Sequence, residues 1–282
     1  MRNNNKKNVI LSPVVKWVGG KRQLLDDIIP LLPDNFSTYV EPFVGGGALL
    51  FEIQPKKAIV NDLNHELINL YKVIKDNPNE LLLLLEEHEL NNSEEYFYQI
   101  RALDRSESYD QMSDIEKAAR IIYLNKTCYN GLFRVNQSGQ FNSPYGKYKN
   151  PNIVNKPVVL AMANYFQNNN ITLLNGDYKM ALKKLRKGAF VYFDPPYMPI
   201  SSSSSFTGYT ENGFDKKQQI ELKEECDKLN SRGIKFLLSN SDHPFIRDLY
   251  KDYEIITVRA KRSINSNSNK RGEINEVLVR NY

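Results

Sequence analysis

Short runs rich in apolar, β-branched and aromatic residues recur along the chain at Thr38 to Glu41, Ala58 to Asn61, Ile171 to Leu174, Phe190 to Asp194, Lys235 to Ser239, Glu254 to Arg259 and Glu276 to Arg280. Each has the length and composition of a strand rather than a helix. Stretches with apolar residues at helical spacing separate many of them. Strands that alternate with helices fold most simply into a parallel sheet covered on both faces. The pattern predicts the α/β class with a mostly parallel sheet, and leaves room for antiparallel pairing among the last strands.

About 100 residues separate the second run from the third, far more than a crossover between neighbouring strands needs. Helical periodicity fills this stretch from His65 to about Lys126, with one helix expected to start near Ser113 or Asp114 and run through Ile121, Ile122 and Leu124. We read residues 65–170 as an inserted, mostly helical subdomain that divides a core made of residues 1–64 and 171–282. The later part of the insertion, Asn130 to Lys149, places turn residues at Ser138-Gly139 between short extended runs, the pattern of a β-hairpin. Its Arg, Lys, Asn and aromatic residues suit base edges and phosphates; a solvated surface loop is the alternative. The run Ser201 to Ser205 reads as a flexible loop, either a lid or an inert linker.

Composition narrows the classes. Of 282 residues, 41% are hydrophobic and 25% charged, so a packed globular chain is expected rather than a disordered one. Lys and Arg (38) exceed Asp and Glu (33), and the resulting +5 permits a polyanionic partner without demanding one. Cys128 and Cys226 form no CxxC pair, and His65, His88 and His243 show no ligand spacing. Buried free thiols and chemistry without a metal are expected. Residues Met1 to Lys7 lack the apolar segment of a leader, and Leu81 to Leu85, bounded by Glu80 and Glu86, is too short to span a bilayer. The expectation is a cytoplasmic protein without membrane attachment, either a monomer or a weak dimer.

Four motifs carry candidate chemistry. Asp194-Pro195-Pro196-Tyr197 follows Phe190-Val191-Tyr192-Phe193, so a carboxylate and an aromatic ring stand at a strand's carboxyl end, where open α/β sheets bind ligands. The prolines force the chain out of the sheet in a stiff turn. That arrangement suits a flat aromatic amine, with Tyr197 stacked on the ring and Asp194 and a prolyl carbonyl accepting its N–H bonds; a proline-punctuated strand end with a capping aspartate is the plainer reading. Glu41-Pro42-Phe43-Val44-Gly45-Gly46-Gly47 joins a strand to a helical pattern through glycines that let a ligand approach, without the GxGxxG of a pyrophosphate site. Asp62, at the end of the second run, sits where Rossmann-like sheets hold ribose hydroxyls, or else caps the helix starting near Asn64. Lys16-Trp17-Val18-Gly19-Gly20-Lys21 offers an aromatic wall and a cation for a carboxylate, or a core anchor.

In this order, and with Tyr129-Asn130-Gly131-Leu132-Phe133-Arg134 and Phe141-Asn142-Ser143-Pro144-Tyr145-Gly146-Lys147-Tyr148 inside the insertion, the motifs resemble those of the alpha-class DNA adenine-N6 methyltransferases. The likeness is closest to the Dam-type enzymes that methylate GATC, including those paired with DpnII-like restriction enzymes, and covers nearly the whole chain. It implies a Rossmann-like methyltransferase fold with a target-recognition insertion, S-adenosyl-L-methionine as cofactor, double-stranded DNA as partner, and a role in restriction-modification. It also implies residue roles. Asp194, Pro195, Pro196 and Tyr197 would be catalytic, acting on an adenine flipped out of the duplex. Trp17, Lys21, Phe43, Gly45, Gly46, Gly47, Asp62, Asp177, Tyr178 and Asp194 would line the cofactor site, with Lys21 on the methionine carboxylate, Asp62 on the ribose and Asp177 on the exocyclic amine. At Asp177, which follows Gly176 at a strand end, a helix cap is the local alternative. Lys16, Tyr129, Asn130, Leu132, Arg134 and Pro144 would meet bases, and Arg259, Lys261 and Arg262 would meet phosphates unless they form a solvated face.

Cytosine-N4 methylation requires the same geometry, but enzymes of that kind more often carry Ser where this chain has Asp194. A non-catalytic nucleic-acid-binding module is the reading from a different class, and the intact acceptor turn and glycine loop count against it.

Overall fold

The computed structural model describes residues 7–17, 19–199, 214–261 and 273–282. The serine run 201–205 and Arg262 lie outside the described residues, as does the side chain of Lys261. Among the described residues, seven strands form one sheet: β1 (Thr38–Glu41), β2 (Lys57–Asp62), β3 (Asn170–Asn175), β4 (Ala189–Phe193), β5 (Lys235–Ser241), β6 (Glu254–Lys261) and β7 (Glu273–Arg280). Their order is β3-β2-β1-β4-β5-β7-β6; the first five are parallel, and β7 runs antiparallel between β5 and β6.

Period-two alternation sorts the strand side chains between two faces. Tyr39, Phe190, Tyr192, Leu237 and Leu278 join one apolar cluster, while Val40, Val191, Phe193, Phe236 and Leu238 join the other. Every residue of β4 is buried, as expected of a central parallel strand covered on both sides.

The helices are, in chain order, α1 (Leu25–Ile28), α2 (Ala48–Ile53), α3 (His65–Asp76), α4 (Pro78–Leu90), α5 (Glu94–Ala102), α6 (Asp114–Thr127), α7 (Lys156–Asn168), α8 (Lys216–Ser231) and α9 (Pro244–Leu249). Leu222, Cys226 and Leu229 of α8 and Ile246 of α9 cover the second face. The first face is covered by α2, α3 and α7, and α6 and α4 pack outward from α3. Residues 65–170 therefore share a continuous core with the sheet. Among the described residues no helix is long and apolar enough to cross a membrane.

Three local features differ from the sequence expectation. β4 stops at Phe193 rather than Asp194, because Pro195 has no N–H to continue a ladder. β7 begins at Glu273 rather than Glu276, since Glu273, Ile274 and Asn275 pair with Lys261, Ala260 and Arg259 of β6 despite their polar sequence. The expected hairpin is a turn closed by isolated antiparallel bridges, Val135 with Phe141 and Cys128 with Tyr145, rather than by continuous strands. Asn136 makes this turn itself: its side-chain oxygen accepts from Ser138 N at 3.0 Å and Gln140 N at 2.9 Å.

The helix predicted near Ser113 is α6, and a capping box between Ser113 and Glu116 starts it. From α6, Arg120 reaches inward with only 1% of its surface exposed. It donates to the carbonyls of Ile100 and Arg101 at the end of α5, both at 3.0 Å, and pairs with Asp104 at 2.7 Å. The same Asp104 oxygen accepts from Phe141 N at 2.7 Å, which fastens the turn region to the helices. Replacing a buried cation strands its partners. Arg120→Met is expected to cost about 3–5 kcal/mol in urea unfolding, and a loss under about 1 kcal/mol would make the pair no better than an exposed one.

Candidate active site

In the order β3-β2-β1-β4-β5 the winding reverses between β1 and β4, so the crevice beyond their carboxyl ends is a topological switch point. Parallel pairing brings Glu41 at the end of β1, Asp62 at the end of β2 and Asp194 after β4 to this same edge. A concave surface lined by Pro33, Phe36, Lys187, Gly188 and Lys235 lies at the opposite, amino ends of β4 and β5 and carries no carboxylate.

The turn Asp194-Pro195-Pro196-Tyr197 is held from β5 and α8. Ser239, fully buried on β5, donates its hydroxyl to Asp194 Oδ1 at 2.8 Å. Asn240 accepts from Met198 N at 3.1 Å and donates to Gln219 Oε1 at 3.1 Å. Gln219, on α8, donates in turn to the Pro196 carbonyl at 3.0 Å, and the Ser241 hydroxyl donates to the Met198 carbonyl at 2.6 Å. Among the described residues none donates to the carbonyl of Pro195. Tyr197 donates its hydroxyl to Glu276 Oε2 at 2.8 Å.

Lys21 is brought to Asp194. Its ammonium lies 2.9 Å from Asp194 Oδ1, donates to the Gly19 carbonyl at 2.8 Å and sits 4.4 Å from the centre of the Tyr197 ring. Burial pushes the Asp194 carboxyl above the usual aspartate range, and Lys21 and Ser239 oppose that shift without cancelling it. Burial also raises Glu41, which accepts from the Tyr39 hydroxyl at 2.9 Å and feels the nearby charge of Asp194. It raises Asp62 in the same way, against backbone N–H bonds that favour the charged form.

The glycine loop takes its shape from Asp62, whose two oxygens accept from Gly45 N and Asn64 N, both at 2.9 Å. The cap of α3 is Asn64, so Asp62 organises the loop rather than the helix. Gly45 and Gly47 adopt φ of 48° and 69°, which favours glycine, and a Cβ on Gly45 or Gly46 would press on Trp17 at 3.3 or 3.2 Å. Trp17 is stacked on Phe133 at 4.5 Å, wedged between the loop and the turn region. Phe43 stacks on Tyr178 at 5.1 Å, while exposed Asp177 accepts from Lys179 N at 2.8 Å and so makes the local cap.

The proposed base-contacting residues form one patch. Lys16 donates from Nζ to the Asn130 carbonyl at 2.8 Å, and Tyr129 N donates to the Pro144 carbonyl at 2.8 Å. Tyr129 is 59% exposed, and Asn130 is left-handed with φ 59°. Leu132 is half-buried; exposed Arg134 donates from Nε to Asn142 Oδ1 at 2.8 Å, which aims its guanidinium. Arg259 is exposed on β6, Lys261 ends that strand, and Arg262 follows outside the described residues.

The sequence reading passed over Ser239, Asn240, Ser241, Gln219 and Glu276. The polar end of an otherwise apolar strand, Ser239-Asn240-Ser241, was the available signal, because buried polar groups need partners. Gln219 and Glu276 carried none, lying distant in sequence from the turn they hold. Among the described residues no group of His, Cys, Asp and Glu is arranged to hold a metal ion, and both cysteines are buried and free.

Comparison with known proteins gives a consistent result. A family model described as D12 class N6 adenine-specific DNA methyltransferase matches residues 17–264. The type II methyltransferase M1.LlaDCHI of Lactococcus lactis subsp. cremoris is 47% identical over 277 residues, 98% of each chain. The type II methyltransferase M.MjaIII of Methanocaldococcus jannaschii is 40% identical, over 96% of this chain and 99% of the relative. The DNA adenine methylase of Escherichia coli is 35% identical, over 94% of this chain and 93% of its own.

The balance of burial against Lys21 is directly measurable. Asp194 is expected to titrate above an ordinary aspartate in carboxyl-resolved NMR, and Lys21→Met to move that midpoint further up, since the removed cation favours the charged form. A midpoint that falls or stays in Lys21→Met would show that the ammonium does not act on Asp194.

Proposed function

The chain belongs to the D12 class N6 adenine-specific DNA methyltransferases, and from that premise we propose that it methylates N6 of a flipped adenine within GATC in double-stranded DNA, using S-adenosyl-L-methionine. In this reading residues 1–64 and 171–282 form a Rossmann-like catalytic core and residues 65–170 the target-recognition insertion. The relatives named as type II methyltransferases support a role as the modification partner of a restriction enzyme, acting on DNA in the cytoplasm.

One observation carries the chemistry: the acceptor turn is held rigid with one carbonyl left over. Gln219 occupies the Pro196 carbonyl, and Ser239 and Lys21 both bind Oδ1 of Asp194. Asp194 Oδ2 and the Pro195 carbonyl remain as the pair of acceptors for the two N–H bonds of an exocyclic amine. Hydrogen bonds from N6 to both favour a more tetrahedral nitrogen with its lone pair free to attack, which raises a poor nucleophile. The Tyr197 ring supplies the stacking that the base loses on leaving the duplex. Lys21 occupies the Asp194 end of that space and must yield part of it to the incoming amine.

The residues at the strand ends fit the cofactor. The buried Asn61 Oδ1 and Tyr178 hydroxyl have no hydrogen-bond partner, as expected where an edge closes over a polar ligand. The backbone at Gly45 and Gly46 stays bare because side chains there would meet Trp17. Phe43, Gly45, Gly46, Gly47, Asp62, Asp177 and Tyr178 would hold the group, with Trp17 behind the loop. When bound, it supplies an electrophilic methyl on a sulfonium. The protein's part is to orient the amine and exclude water.

The decisive experiment is transfer of labelled methyl groups to duplexes containing GATC, a single-base variant of it, and GATC already methylated on its adenine N6. Label confined to unmethylated GATC, falling by at least about a hundredfold in Asp194→Ala, is expected; transfer to all three duplexes would refute the recognition site, and none to any would refute the activity. For specificity, Arg134→Ala is expected to narrow the preference for GATC over its single-base variant by about 1–3 kcal/mol. An equal loss on both duplexes would make Arg134 a phosphate contact.

A further inference from the structure

A tyrosine that only stacks has no use for its hydroxyl, since the bare ring of phenylalanine stacks as well. At Tyr197 the hydroxyl is committed. It donates to Glu276 Oε2 at 2.8 Å, and burial with the nearby charges of Asp194 and Glu276 keeps the phenol protonated and therefore a donor. A hydroxyl donating to a carboxylate makes one of the stronger hydrogen bonds available to a protein. Glu276 is well placed to hold it rigidly. It lies on β7, paired with Ser241 of β5, so its backbone belongs to a strand with neighbours on both sides. The base of the turn is fixed by Ser239, Asn240 and Gln219, which leaves rotation of the ring as the freedom still to be removed.

We infer that Glu276 is a positioning residue for the reaction: by holding the Tyr197 hydroxyl it sets the plane on which the target base stacks. The target amine is held at Asp194 and the base plane at Tyr197, so a ring free to tilt lets the nucleophile wander from its line of attack. The inference rests on the adenine-methylation reading. It assigns Glu276 an effect on the rate of transfer and on the state of the flipped base, and little effect on DNA affinity.

The test uses the full chain, a GATC duplex with and without 2-aminopurine at the target adenine, and the variants Glu276→Ala, Glu276→Gln, Tyr197→Phe and Glu276→Ala with Tyr197→Phe. Glu276→Ala is expected to lower kcat about ten- to a hundredfold with the duplex KM changed less than about threefold, and to alter the 2-aminopurine fluorescence of the bound duplex. Glu276→Gln keeps an acceptor oxygen and is expected to recover most of the rate. Tyr197→Phe should match Glu276→Ala, and the double variant should be no slower than either, because all three break the same bond. Full kcat in Tyr197→Phe, or losses that multiply in the double variant, would overturn the inference even if Glu276→Ala failed to fold. Absence of adenine methylation by the unaltered chain would instead overturn the reading on which it rests.

Discussion

Two consecutive prolines after a fully buried central strand impose the constraint on which the site depends. They end β4 at Phe193, turn the chain out of the sheet and leave backbone groups that no ladder can satisfy. A buried carbonyl without a partner costs about 1–3 kcal/mol, so the fold meets this turn with side chains. Gln219 takes the Pro196 carbonyl, while Asn240 and Ser241 take the two backbone groups of Met198. The exception is the carbonyl of Pro195, beside Asp194. A turn otherwise so completely bonded leaves an acceptor unbonded where a ligand supplies the donor.

Electrostatics reinforce the same edge. Glu41, Asp62 and Asp194 converge at the strand ends, and burial disfavours the charged form of each. Lys21 is the cation in contact with Asp194, and it also faces the Tyr197 ring. An edge this rich in acid and poor in water favours a cationic ligand over an anionic one. It is the reverse of a phosphate-binding loop, in which glycine N–H groups point at an anion. Here the Gly45 N–H is spent on Asp62 instead. The missing pyrophosphate fingerprint in the sequence and the carboxylate-held loop in the structure are thus the same fact at two levels.

The strands were legible because burial on both faces of a parallel sheet writes itself as apolar runs, and α6 because its capping box is local. The motifs were legible for the same reason: Asp194 through Tyr197 and Phe43 through Gly47 each lie within a few residues. What holds them was not. Gln219 and Glu276 reach the turn from 23 and 79 residues away, to Pro196 and Tyr197, and neither residue type is unusual on a helix or strand surface. The local alternatives held at Asp177, which makes a cap, and gave way at Asp62, where Asn64 is the cap and the carboxylate serves the glycine loop. The expected hairpin kept its turn at Asn136 and lost its strands, because Asp104 and Ser143 bonds pin this segment to its surroundings in place of a ladder.

The proposed base-reading patch and the acceptor turn are joined by one short segment. Buried Asn125 fixes the backbone of Lys16 on both sides, accepting from its N–H and donating to its carbonyl at 2.8 Å, and also donates to Gly131 at 3.1 Å. Lys16 reaches to Asn130, the next residue stacks on Phe133 and presses on the glycine loop, and Lys21 binds Asp194. A protein that must act only on its own site needs chemistry to depend on recognition. Contiguous packing through Trp17 supplies a physical route for that dependence, since movement of the turn region at Phe133 displaces a ring with no slack against Gly45 and Gly46. The tryptophan's value lies in touching both surfaces at once.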